Sequence, residues 1–199
     1  VYAGVSLFSA CGNVIGGTVA GAGNVISSNL QDGVFISTNS CGNTLAGNYI
    51  GTDVSGTNAL ANLYNGISVG CAHSNLIGGT VSAARNLISG NIYYGVEVYR
   101  GATGNTILGN YVGTDASGSR SLSNHQAGVR IESPANRVGG SDAGAGNLIS
   151  GNGQDGIWID GLAAMGNVVQ GNYIGTTASG TSALGNGGAA LFISNAPSN

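Results

Sequence analysis

Apolar and polar residues alternate along this chain in segments of only three or four residues, and each segment opens on glycine or asparagine. The tetrapeptides GVSL at Gly4, GVFI at Gly33, GISV at Gly66, GVEV at Gly95, GVRI at Gly128 and GIWI at Gly156 follow one another, with a degenerate copy near Gly188. Two further series open on asparagine. One is NVIS at Asn24, NYIG at Asn48, NLIS at Asn86, NYVG at Asn110, NLIS at Asn147 and NYIG at Asn172. The other is NVIG at Asn13, NTLA at Asn43, NLIG at Asn75, NTIL at Asn105, NRVG at Asn136 and NVVQ at Asn167. A period of two over so short a run marks strands and not helices. In the Gly-led series the first and third residues are aliphatic throughout: Val34 and Ile36, Ile67 and Val69, Val96 and Val98, Val129 and Ile131, Ile157 and Ile159. These are the expected inward positions.

The three series interleave in fixed order, so each round of the chain reads as one coil of three short strands. Two coils of unequal length make a super-repeat of about 62 residues. The predicted fold is all-β, a right-handed single-stranded parallel β-helix of about six to seven coils over residues 1–199. It rises about 4.8 Å per coil and roughly 30 Å in all. Insertions after Gly51 (TDVSGTNALANLYN), Gly113 (TDASGSRSLSNHQA) and Gly175 (TTASGTSALGNG) are expected to project from one corner on alternate coils. Stacking places Asn on Asn at the entry to two of the strands, where each side-chain amide can bond the next. Glycine at the entry to the third allows close backbone approach. No coil can bury its own core, so stability should come from neighbouring coils along the axis.

Composition narrows the function classes. Glycine numbers 38, charged residues are 7% of the chain, and lysine is absent. The β-branched content argues against polar disorder. Five scattered arginines under a net charge of −3 make no track for a phosphate backbone, which argues against nucleic acid as a partner. No apolar run approaches the length of a membrane span. The chain opens on VYAGVSLFSA, already inside the repeat, and so reads as a piece of a longer repeat protein with any targeting signal upstream. Cys11, Cys41 and Cys71 have no metal-ligand spacing, and their odd number argues against a disulfide framework, so they read as small turn fillers. Cys11 and Cys41 nevertheless stack on adjacent coils within disulfide range.

The recurring NxIxGNYIGTDxxGTxAL and NxIGGTxxGAGNxISGN motifs resemble those of the right-handed parallel β-helix repeat family of large secreted and cell-surface bacterial proteins. The resemblance covers essentially the whole chain and is specific for architecture. It implies an extracellular or cell-surface location and an adhesin-like or structural role. The same fold also carries pectate lyases, polygalacturonases, epimerases and phage tailspikes.

Candidate chemistry collects on the outward positions of the Gly-led strand. Successive coils present Glu97 and Tyr99, then Arg130 and Glu132, then Trp158 and Asp160, with Arg100 beside them. As a saccharide-binding platform, Trp158 and Tyr99 would stack on sugar rings and Arg130 would donate to carboxylate or hydroxyl groups. Glu132 and Asp160 are the candidate catalytic pair, since carboxylates about 5 Å apart suit a retaining glycosidase. The plainer reading is that outward sheet positions accept any soluble residue and that Glu97 over Arg130 is a cross-strand ion pair. His73 and His125 fall in turn or insertion segments, apart from one another. Asp53 and Asp115 open equivalent insertions, but the third copy has Thr177 there, which favours an Asx-type turn over a calcium ligand. No cofactor and no metal is expected. The sequence therefore carries three functional expectations: a non-catalytic structural or adhesive repeat domain, a polysaccharide-binding or polysaccharide-cleaving β-helix, and a module that self-associates through its coil ends.

Overall fold

Three parallel sheets wrap a single aliphatic column in the computed structural model, which describes residues 3–199. Sheet 1 stacks seven Gly-led strands: Val5–Phe8, Val34–Ser37, Ile67–Gly70, Val96–Tyr99, Val129–Ile131, Ile157–Asp160 and Leu191–Ser194. Sheet 2 stacks six, Val14–Gly16, Thr44–Ala46, Leu76–Gly78, Thr106–Leu108, Arg137–Gly139 and Val168–Gln170. Sheet 3 stacks six two-residue strands, Val25–Ile26, Tyr49–Ile50, Leu87–Ile88, Tyr111–Val112, Leu148–Ile149 and Tyr173–Ile174. The chain visits the sheets in the order 1, 2, 3, about six times, and every strand pairs in parallel with its counterpart one coil away. The only helical turn among the described residues is a short 3-10 segment, Ser82–Ala84.

The inward positions of sheet 1 are as the alternation predicts. Val34, Ile36, Ile67, Val69, Val96, Val98, Val129, Ile131, Ile157 and Ile159 are all fully buried. Leu45, Ile77, Ile107 and Val138 from sheet 2 meet them in the same column, with Ile50, Ile88, Val112 and Ile149 from sheet 3. Each such side chain removed from water is worth about 1.5–3 kcal/mol. Because like stacks on like, register is fixed at every tier.

Of the two expectations about the corners, one holds but is incomplete and the other needs correction. The insertions after Gly51, Gly113 and Gly175 leave one corner on alternate coils, as expected, but a second set of long connections leaves another. On alternate coils the long connection lies between sheets 3 and 1 (51–66, 113–128 and 175–190). On the remaining coils it lies between sheets 2 and 3 (17–24, 79–86 and 140–147). This explains why asparagines entering sheet 3 are separated by 24, 38, 24, 37 and 25 residues. The sequence pattern showed one set of insertions because the second set reads as ordinary repeat. The 3-to-1 loops also reach each other across the intervening coil: Ala116 N donates to Gly56 O and Ala178 N to Gly118 O, each at 2.9 Å.

The correction concerns the asparagine ladders, which number three among the described residues. Asn13, Asn43, Asn75, Asn105, Asn136, Asn167 and Asn199 form the first, at the entry to sheet 2. Asn24, Asn48, Asn86, Asn110, Asn147 and Asn172 form the second, at the entry to sheet 3. The third runs Asn29, Asn62, Asn91, Asn124, Asn152 and Asn186 at the corner before sheet 1. In the second ladder both the backbone N–H and the side-chain amide of Asn86 donate to Asn110 Oδ1, at 3.1 and 2.9 Å. Asn110 Nδ2 in turn donates to Ile77 O and to Asn147 Oδ1. A polar side chain is thereby satisfied inside the wall, where an unpaired one would cost about 1–3 kcal/mol.

At the first coils Cys11 and Cys41 form a disulfide across a Cα separation of 4.5 Å, so these two are not turn fillers. Parallel pairing of the two residues makes the bond possible. Cys71 is free and exposed. No helix among the described residues is long and apolar enough to cross a membrane.

Candidate functional site

Sheet 1 turns the second and fourth residues of each strand outward, and its register brings the predicted patch together. Glu97 pairs with Arg130, and Arg130 with Trp158, on successive strands. Arg130 is the centre of the arrangement. Its Nη1 donates to Glu97 Oε1 at 3.1 Å and its Nη2 to Glu132 Oε1. Its guanidinium carbon lies 4.6 Å from the centre of the Trp158 ring and 5.3 Å from that of Tyr94. The cross-strand ion pair read from the sequence is therefore present, and it is built into a cluster. Trp158 is half-buried, with Phe192 packed beside it at a centroid distance of 6.4 Å. One face of the indole is thus covered by Arg130, and its Nε1 is buried without a hydrogen-bond partner.

A second polar chain reaches this cluster from the preceding coils. Asn65 Nδ2 donates to Glu97 Oε2 at 2.9 Å and to Ser68 Oγ at 2.9 Å. Ser68 Oγ donates to Asp32 Oδ1 at 2.7 Å, and the Asn65 backbone N–H donates to the same oxygen at 3.2 Å. Asp32, Ser68, Asn65, Glu97, Arg130 and Glu132 thus form one hydrogen-bonded line along the axis. Burial pushes the Glu97 carboxyl above the ordinary range against the pull of Arg130. Burial likewise raises Asp32, only partly offset by the Ser68 and Asn65 hydrogen bonds.

Sequence reasoning placed the site from Gly95 onward and missed what lies just before it. Ser68 and Gly70, the outward residues of the strand Ile67–Gly70, are both buried. The Tyr99 ring leans over Gly70 so closely that a Cβ there would sit 3.0 Å from two ring carbons. Between this low tier and its taller neighbours lies a surface groove of about 450 Å³ lined by Gln31, Asp32, Phe35, Tyr64, Tyr99 and Arg100. Of the predicted site residues only Tyr99 borders it. Glu97 lies under its edge through Asn65, while Arg130, Glu132, Trp158 and Asp160 belong to the coils beyond. The signal that could have located the groove was the pair Ser68 and Gly70, the smallest outward residues in the Gly-led series, between Phe35 and Tyr99.

The remaining candidates lie elsewhere. His73 sits in the turn between sheets 1 and 2, its Nδ1 at 3.3 Å from Ser74 Oγ, and His125 is exposed in the loop 113–128. Asp53 and Asp115 form the Asx-type turns expected of them. Asp53 Oδ1 accepts from Ser55 Oγ and from the backbone N–H of Thr57 and Asn58. Asp115 Oδ1 accepts in the same way from Ser117, Ser119 and Arg120. The Asn58 and Ser55 side chains hold the Asp53 carboxyl below its usual range. For Asp115 burial pushes upward, but the Ser117 and Arg120 hydrogen bonds outweigh it and the carboxyl is lowered. Among the described residues no three His, Cys, Asp or Glu side chains converge in a way that could hold a metal ion. No protein-family model, no curated protein and no solved structure matches the chain.

Proposed function

We propose that this domain is a rigid, non-catalytic repeat element of an extracellular or cell-surface protein, of the bacterial β-helix repeat kind its motifs resemble. The observation that carries this reading is the hydrogen-bonded asparagine ladder at all three corners. A wall whose polar groups are satisfied tier by tier resists bending and can be lengthened by whole coils. The charges of sheet 1 support the same reading, since Glu97, Arg130 and Glu132 are spent on one another. The test uses the parent protein displayed on its own cells. Glu132→Ala combined with Asp160→Ala should leave display and adhesion unchanged, and removal of one double coil, residues 87–147, should shorten the reach of the protein and weaken adhesion. Loss of adhesion in the double substitution with display intact would overturn the non-catalytic reading.

The groove before the patch favours a second reading, in which the outward face of sheet 1 contacts polysaccharide. Concavity, aromatic rings and a few fixed polar groups are what a small-molecule or polymer subsite requires.

A further inference from the structure

The groove on sheet 1 is a consequence of sequence at a single tier. Adjacent strands are about 4.8 Å apart, so the tiers bearing Phe35 and Tyr99 stand roughly 10 Å apart with Ser68 and Gly70 between them. Two coils with bulky outward residues flank one with almost none, and the result is a trough the width of one coil. Tyr64 stands at its rim, half exposed and stacked on Tyr93 at a centroid distance of 4.7 Å. That stacking fixes the ring orientation without occupying its other face.

The polar groups of the trough are oriented yet not used up. Asp32 Oδ1 is held by Ser68 and Asn65, while no side-chain hydrogen bond ends on Oδ2. Arg100 lies over the Tyr99 ring at 5.3 Å, and no carboxylate among the described residues is within ion-pair distance of it. Gln31 adds an exposed amide. A carboxylate, a guanidinium and an amide are planar groups that each meet two adjacent hydroxyls. Aromatic rings meet the C–H face of a flat, saturated ring. Together they describe the surface of a pyranose, with hydroxyls around its edge and apolar faces above and below.

Charge narrows the ligand class. Arg100 sits at the rim, whereas Asp32 lies in the trough and Glu97 beneath its edge, joined through Asn65 and Ser68. Asp32 and Arg100 line the trough together, so a ligand of either charge gains one contact of opposite sign and meets one of like sign, whereas uncharged hydroxyls can accept from Arg100 and donate to Asp32 at once. We propose that the trough lined by Asp32, Phe35, Tyr64, Tyr99 and Arg100 is a subsite for an uncharged hexopyranosyl unit of a polysaccharide. This rests on the second reading, that the outward face of sheet 1 contacts polysaccharide, and it moves the contact from the Trp158 patch to the preceding coils.

The experiment measures binding of cellohexaose, laminarihexaose, mannohexaose, chitohexaose and oligogalacturonate to the wild-type chain and to Tyr64→Ala, Asp32→Asn and Trp158→Ala. Tyr64 is half exposed, so its variant keeps the core intact and reports on binding even where Asp32→Asn alters folding. The expected result is binding of at least one uncharged hexasaccharide, about tenfold weaker in Tyr64→Ala, weakened in Asp32→Asn and within about twofold of wild type in Trp158→Ala. Binding lost in Trp158→Ala and retained in both trough variants overturns the trough while leaving the saccharide-contact face standing. Binding of oligogalacturonate alone overturns the uncharged class. Binding of none of the five overturns both the subsite and the reading on which it rests.

Discussion

The corners of this molecule and the outward face of its sheet 1 are made by the same operation, one residue set over another at each coil, and they end up doing opposite things. At a corner every tier carries the same residue, and asparagine is its own partner: an amide that donates upward and accepts from below closes its hydrogen bonds within the stack. On sheet 1 neighbouring outward tiers differ, running from Phe35 through Ser68 and Glu97 to Arg130 and Trp158. Repetition there would give a flat ladder. Variation gives a cluster around Arg130 and, two coils earlier, a trough. Where a repeat protein keeps repeating it is building its wall, and where it stops, the wall acquires shape and charge.

Replacing a corner residue should produce the largest effect. Asn110→Ala takes the acceptor from the buried backbone N–H of Asn86 and from one hydrogen bond of its side-chain amide, and takes one donor each from the Ile77 carbonyl and Asn147 Oδ1. The expected loss is about 3–5 kcal/mol in urea unfolding. A loss below about 1 kcal/mol would show that the ladder is decorative and that the aliphatic column alone sets stability.

A substitution on the sheet 1 face should cost far less and alter shape instead. Gly70→Ala brings a methyl group to 3.0 Å from the Tyr99 ring, which can swing outward. The expected cost is about 1 kcal/mol, with a changed ring environment for Tyr99 in its NMR signals. Unchanged Tyr99 signals would mean that the floor of the trough is not set by the missing side chain.

The smallest effect is expected in the insertion loops, and it depends on pH. Asp53 and Asp115 are held below the ordinary carboxylate range, so what their hydrogen bonds contribute is present above that range and is lost as pH falls through the folded-state values. Amide exchange at Thr57, Asn58 and Ser119, corrected for intrinsic rates, should accelerate on acidification. Thr181, in the loop where Thr177 replaces aspartate, should show no such step. Asp32 and Glu97 have the opposite sign, because burial raises them and protonation removes the cost of keeping a buried charge. An acid step at Thr181 equal to that at Thr57 would detach the loops from their aspartates.

Much of this was legible in the chain before any coordinates. The alternation after Gly33, Gly66 and Gly95 marks the inward faces because period two admits one buried side, and the interleaved Asn series mark the coil because stacking demands like on like. The third ladder was not legible by the same route. Its members follow strands in the short coils, as Asn29, Asn91 and Asn152, and lie inside insertions in the long ones, as Asn62, Asn124 and Asn186, so their spacing follows no single motif. The pairing of Cys11 with Cys41 needed actual proximity, since stacking distance alone permits a bond without making it. The trough was hidden for another reason: it is defined by what Ser68 and Gly70 lack.

The sequence by itself determined the strands, their inward faces and the stacking order, because these follow from local alternation and from residues that pair with copies of themselves. Only the tertiary structure decided where the second set of long connections leaves the coil, how the Asp32, Ser68, Asn65 and Glu97 side chains join into one line, and where the surface is concave. Those properties depend on side chains from different coils meeting across the axis, and a distance between tiers is not written in either tier alone.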